Sequence, residues 1–210
     1  MYSLYYSPGA ASLVVHWLLI EFDVPHELRL VDTQARQHKS DDYLALNPNG
    51  LVPTLVADGK PLYEAAALVL HLADRHAESG LAPALDSPLR GPYLQWMLNL
   101  ANTVQSPMRL WWYPGDIIDD SNADEIREGT RRRVEAAWDR LDAHRAANGP
   151  YLLGDRLSAA DFYLAMLMRW TRNMPRPGHD WPHLAALAQA LKARPSFKTL
   201  YEREGLTDWA

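Results

Sequence analysis

Hydrophobic and polar positions follow two rhythms in the first 76 residues. Ser3-Leu4-Tyr5-Tyr6-Ser7 is a short β-prone run stopped by the turn formers Pro8-Gly9. Ala11 to Phe22 is apolar on most sides, the pattern of a helix held between a sheet and a second layer. His26 to Asp32 alternates with period two and predicts a second strand. A polar stretch, Thr33 to Asp42, leads to a short segment around Tyr43-Leu44-Ala45-Leu46. Thr54 to Ala57 and Pro61 to Tyr63 flank Asp58-Gly59, which reads as a hairpin. Glu64 to His76 is rich in Ala and Leu and helical. The predicted order is β-α-β-α-β-β-α, with a parallel pair joined by a right-handed crossover and an antiparallel edge.

The rhythm then changes. Residues 77–88 have the composition of a linker, and from residue 89 onward only helical spacing is evident. Gly91 to Val104 carries the stripe Leu94, Met97, Leu98 and Ala101. Asn122 to Glu125 has capping-box spacing and predicts the start of a long helix to about Ala147. Ser158 to Asp161 repeats the spacing ahead of the apolar run from Phe162 to Leu167. Short helices are expected near 183–193 and 196–203. The predicted architecture is a small α/β domain, 1–76, a linker, 77–88, and an all-α domain, 89–210.

Composition narrows the chemistry. The net charge of −5 comes without any basic block, so no nucleic-acid footprint is expected. The longest apolar stretch, Leu13 to Phe22, is interrupted by His16 and Glu21 and is about 10 residues, against the ~20 a membrane span needs. The chain has no cysteine, which excludes disulfides, zinc–thiolate sites and a cysteine nucleophile. The start of the sequence lacks signal-peptide patterning, and a cytoplasmic location is expected. His179 and His183 are four apart, but Pro182 and the Pro175–Pro177 stretch argue against a metal-binding helix there, so no metal is expected.

Three local patterns carry a resemblance. Tyr5-Tyr6-Ser7-Pro8-Gly9-Ala10-Ala11-Ser12 is similar to the first strand and turn of the bacterial beta class of glutathione S-transferases. Asn47-Pro48-Asn49-Gly50-Leu51-Val52-Pro53-Thr54-Leu55 resembles the superfamily's loop before its third strand. Leu62-Tyr63-Glu64-Ala65 stands at the position of its acidic-then-small motif, and Ser158 to Asp161 resembles its helical-domain capping box. The matches run in order along essentially the whole chain. The implied fold is a thioredoxin-like α/β N-terminal domain followed by an all-α C-terminal domain.

The resemblance implies glutathione as co-substrate and attack of its thiolate on a small hydrophobic electrophile, a detoxification chemistry carried out by a homodimer. Val52, before Pro53, is implied to present its backbone to the cysteinyl part of the tripeptide, as an added strand would. Glu64 is implied to take the γ-glutamyl ammonium, and the Ala65 N–H the adjoining carboxylate. Arg36 and His38 are candidates for the glycine carboxylate, and Ser7 lies near the sulfur. Trp111, Trp112 and Tyr113 fall where the family borders its electrophile pocket.

Several positions depart from the pattern. Ala11 stands where the beta class has cysteine, Ala65 where serine or glycine is usual, and Gln105 and Ser106 where beta-class relatives place a histidine and a lysine. A thiolate then needs another donor. Ser12, at the start of the first helix, is the first candidate and Tyr6, at the end of the first strand, the second; local sequence also fits Ser12 as an N-cap. Disulfide or peroxide reduction, isomerisation, or a non-catalytic glutathione-binding module are the alternative readings.

Overall fold

The computed structural model describes residues 1–117 and 122–209. Residues 1–82 and 192–208 form one compact unit, and 83–191 with 209 a second.

In the first unit a four-stranded sheet has the order β2-β1-β3-β4. Strand β1 (Tyr2–Tyr6) pairs in parallel with β2 (His26–Leu30) and antiparallel with β3 (Thr54–Ala57), which pairs antiparallel with β4 (Lys60–Tyr63). The crossover between β1 and β2 is α1 (Ser12–Glu21), in which every residue from Ser12 to Leu19 is buried. That burial accounts for its apolar circumference. The polar stretch after β2 contains a single 3-10 turn, Gln37–Lys39, and the short helix α2 (Asp41–Leu44). Helix α3 (Ala65–Arg75) follows β4 directly and packs against α1.

The all-α domain expected over 89–210 is divided differently by the observed packing. Its last helix, α9 (Pro195–Glu204), belongs to the first unit and packs on α1. The Trp17 indole N–H donates to Ser196 Oγ at 2.9 Å, the Trp17 and Phe197 ring centroids are 5.3 Å apart, and Arg194 and Ser196 both bind the Glu21 carboxylate. The physical reason is simple. A helix that is apolar all round, with one face on the sheet, needs a second cover. Hydrophobic periodicity does not show which later helix supplies it.

The second unit is helical: α4 (Arg90–Asn99), α5 (Ser106–Trp112), α6 (Ala123–Asn148), α7 (Ala159–Trp170) and α8 (Pro182–Lys192). A π-helical turn, Leu100–Gln105, joins α4 to α5. Among the described residues its β-structure is confined to two isolated bridges within 151–156. The spacing at Asn122 does not become a capping box, because Asn122 has φ −115° and ψ 13° rather than extended backbone and makes no side-chain cap bond. The box at Ser158 does form. The Ser158 N–H and hydroxyl donate to Asp161 Oδ2 at 2.9 and 3.0 Å, and the Leu152 N–H donates to Oδ1 at 2.9 Å.

Asp161→Ala strands those three donors in the interior, and unfolding by denaturant should show a loss of about 3 kcal/mol. Burial pushes the Asp161 carboxyl up to about 6, against the hydrogen bonds and Arg145 that favour its ionised form. The folded state therefore holds the proton more tightly than the unfolded state, whose carboxyl ionises near the ordinary 3.8. The contribution of this group to stability thus falls as pH rises from about 4 to about 6 and is level above that. That component of the stability–pH curve should vanish in Asp161→Asn.

Candidate functional site

Sheet register brings distant segments of the first unit to one end of the sheet. Tyr5 lies opposite Thr54, and Thr54 opposite Tyr63. One step further along, Tyr6, Pro53 and Glu64 sit side by side at the ends of β1, β3 and β4. Neighbouring strands are about 4.8 Å apart, so the three chain segments adjoin. Tyr6 is also paired with Leu30 of parallel β2, which delivers the loop carrying Arg36 and His38 to the same end. Val31 N–H donates to the Tyr6 carbonyl at 2.8 Å and anchors that loop.

The turn after β1 is held from below. Gly9, with φ 69°, donates its N–H to Glu204 Oε2 at 2.8 Å. Glu204 Oε1 accepts from His16 Nδ1 at 2.8 Å, and both side chains have no solvent exposure. A buried carboxylate at the end of α9 therefore ties the turn to the middle of α1. Tyr6 is half-buried, and its hydroxyl makes no hydrogen bond among the described residues. Burial, and then the Glu204 charge, push its phenol up, which keeps it a neutral donor.

Ser12 is placed differently from expectation. Ala11, not Ser12, occupies the N-cap position of α1. The Ser12 side chain is buried, its hydroxyl donates to the Ser7 carbonyl at 3.1 Å, and it accepts from the Ser7 N–H at 3.2 Å. With its one proton committed to Ser7, that hydroxyl braces the turn. The Ser7 side chain is half-buried and carries no hydrogen bond of its own.

On the opposite side of the turn, the Val52–Pro53 peptide is cis, and the N–H and carbonyl of Val52 make no hydrogen bond among the described residues. Glu64 has φ 74° and ψ 110°, a conformation that costs a non-glycine residue about 1–3 kcal/mol. Its carboxylate is exposed and makes no ion pair among the described residues. Ala65 opens α3, whose first N–H groups lack intrahelical acceptors. Arg36, also at positive φ (59°), is exposed and makes no ion pair among the described residues, whereas His38 is half-buried. This end of the sheet thus offers a free carboxylate, a free guanidinium and an unpaired backbone edge.

Trp111, Trp112 and Tyr113 lie in the second unit, at the end of α5. Trp112 and Tyr113 are 37% and 58% exposed. The Arg172 guanidinium lies 5.5 Å from the Trp112 ring centroid and that of Arg109 5.1 Å from Tyr113, while Arg109 also pairs with Asp116 at 2.7 Å. Gln105 accepts a hydrogen bond from the buried Tyr163 hydroxyl. These two arginines were not expected from sequence, although Arg109 stands four residues before Tyr113 on helical spacing. Glu204 had no local signal at all.

Residues 10–75 match the N-terminal domain of glutathione S-transferase and residues 124–197 its C-terminal domain. The chain belongs to the glutathione S-transferase family. It is 31% identical over 207 residues to glutathione S-transferase GST-4.5 of Xanthomonas campestris pv. campestris, covering 97% of this chain and 98% of that protein. A glutathione transferase homologue from Sulfitobacter, solved with bound glutathione, superposes with a TM-score of 0.90 at 26% identity, covering 98% and 99% of the two chains. The beta-class glutathione S-transferase of Sphingomonas chungbukensis superposes with a TM-score of 0.86 at 28% identity, covering 98% and 100%. This glutathione S-transferase has the family's thioredoxin-like unit and helical unit, without the beta-class cysteine.

In this family member the turn after β1 depends on Glu204. Glu204→Ala removes the acceptor of the Gly9 N–H and the carboxylate beside buried His16, and thermal or denaturant unfolding should record a loss of about 3 kcal/mol.

Proposed function

We propose that the protein catalyses attack of the glutathione thiolate on a small hydrophobic electrophile, with residues of the first unit holding the tripeptide. The observation that carries this is the gathering, at one end of the sheet, of a free Tyr6 hydroxyl, an unpaired Val52 backbone edge and an unpaired Glu64 carboxylate. Val52 pairs with the cysteinyl backbone as a short added strand. Glu64 receives the γ-glutamyl ammonium, and the Ala65 N–H at the head of α3 receives the α-carboxylate. Arg36, with His38 beside it, takes the glycine carboxylate.

The sulfur then lies near the turn of residues 7–11. Tyr6 donates to it and favours the thiolate, the thiol proton leaves to solvent, and sulfur forms a bond to the electrophilic carbon as the leaving group departs. Ser12 supports this arrangement by bracing Ser7, and Pro53 by ending the exposed backbone edge. Trp111, Trp112 and Tyr113 form an aromatic surface suited to a flat electrophile, with Arg109 and Arg172 against two of its rings. No metal enters the scheme. The homodimer, the detoxification role and the cytoplasmic location belong to the same proposal, as does the division of the sequence into regions 1–76, 77–88 and 89–210, the last of which lends α9 to the first packing unit. The exposed Leu62 and Tyr63 of β4 support a self-association surface. Among the described residues no helix is long and apolar enough to cross a membrane.

Commitment of the Ser12 hydroxyl to Ser7 favours one second reading. With a single phenol assisting sulfur, the site also suits reduction of a disulfide or peroxide by two glutathione molecules, which requires no protein thiol.

Calorimetric titration of glutathione between pH 6 and 8 separates these. Binding with proton release near neutral pH supports the transferase, binding without it supports the reductase or a binding module, and absence of binding at millimolar ligand overturns the proposal. Glu64→Gln should weaken glutathione binding about tenfold, the loss of one charge-assisted contact. Tyr6→Phe should leave binding within about threefold and suppress the proton release near pH 7.

A further inference from the structure

Tyr43 belongs to the short α2, and its ring is 5% exposed, edge-on to Tyr5 with centroids 5.9 Å apart. Its hydroxyl donates to the Leu51 carbonyl at 2.7 Å and also bonds Thr54 Oγ1 at 2.9 Å. A phenol has one proton, so the Thr54 hydroxyl must donate to Tyr43 while Tyr43 donates to Leu51. The chain of two bonds is cooperative. The same Leu51 carbonyl accepts from Asn47 Nδ2 at 2.8 Å, and Asn47, also buried, accepts the Asn49 N–H on its own oxygen at 3.1 Å. Both lone pairs of the Leu51 oxygen are thus filled from inside the unit.

The Leu51 carbonyl and the Val52 N–H are two halves of one planar peptide group and point in opposite directions. Two donors that grip the oxygen therefore set the direction of the N–H. On the outward half, that N–H has no partner among the described residues. Burial pushes the Tyr43 phenol up, so it stays a donor throughout the neutral range.

We propose that Tyr43, with Asn47, is a positioning residue that aims the Val52 N–H at the cysteinyl carbonyl of glutathione. The inference rests on the glutathione-binding reading above. It assigns a role in that binding to residues that need not touch the ligand. Their contribution is preorganisation: the peptide plane is already set before glutathione arrives, and its ordering need not be drawn from the binding energy.

Two isosteric variants test it. Tyr43→Phe keeps the ring and its contact with Tyr5 but leaves the Leu51 oxygen with Asn47 as its one donor, whereas Thr54→Val removes the other end of the bond chain and leaves that oxygen gripped by both. Both should lower the unfolding midpoint. Only Tyr43→Phe should raise the calorimetric dissociation constant of glutathione, by about tenfold, with Thr54→Val within twofold of the parent. In ligand-free protein the Val52 amide resonance should shift or broaden in Tyr43→Phe and hold its position in Thr54→Val. Equal weakening by the two variants, or an unchanged dissociation constant and Val52 resonance in Tyr43→Phe, overturns the assignment. Glu64→Gln measured alongside keeps the two readings apart. If it too binds glutathione unchanged, the binding site itself is misassigned; if it weakens binding while Tyr43→Phe does not, only the positioning role falls.

Discussion

Helix α1 is buried on nearly every side, and a chain can bury such a helix only if the few polar groups carried in with it find partners. Glu204 supplies one of them for His16. Its carboxylate, shielded from water, accepts from His16 in the middle of α1 and from the Gly9 N–H in the turn that precedes the helix. One side chain thereby joins the last helix, the first helix and the strand–helix turn on which the proposed sulfur site depends. Trp17–Ser196 and Arg194–Glu21 fasten the same pair of helices further along. The apolar cover that α9 lays over α1 and the polar anchor beneath the turn are two results of one packing solution.

The end of the sheet is built on the opposite principle. Where Ser12, His16 and Trp17 of α1 each hold a hydrogen bond, this end keeps its polar groups open: among the described residues the Tyr6 hydroxyl, the Val52 backbone and the Glu64 carboxylate have no hydrogen-bond or ion-pair partner, and Glu64 is held at a positive φ that a free chain would avoid. Such an arrangement persists only when its surroundings over-determine it. β4 runs straight into α3 with Glu64 as the single joint. Asn47 and Tyr43 brace the loop on one side, while Ser12 and Glu204 brace the turn on the other. Rigid polar networks behind an unsatisfied surface are what a preorganised ligand site requires.

Much of this was legible in the chain. Period-two and helical spacing located the strands β1 to β4 and the helices α1 and α3 to within a few residues, because each is amphipathic or wholly apolar in a way that its neighbours are not. The Ser158–Asp161 box was legible because both partners lie within one helical turn, and the same spacing at Asn122 misled because spacing does not report the backbone angles that a cap needs. Candidate residues for the tripeptide were legible only through resemblance, since a valine before a proline and a glutamate before a helix are common in any sequence.

Hydrogen bonds made by the folded turn, and those that span the chain, were not legible. Ser12 reads locally as an N-cap or a free hydroxyl, and only the folded turn shows it committed to Ser7. Glu204 looks like an ordinary charged residue on a surface helix until α9 is laid against α1, nearly the length of the chain away. The sequence by itself determined which segments are strands and helices, the absence of any cysteine thiol of the protein's own, and the family, because those follow from composition, short-range periodicity and ordered local motifs. The tertiary structure alone decided which helix covers α1, which hydroxyl stays free and which carboxylate is buried. Those outcomes depend on how the turn after β1 folds and on which groups meet after long loops close, and hydrophobic periodicity encodes neither.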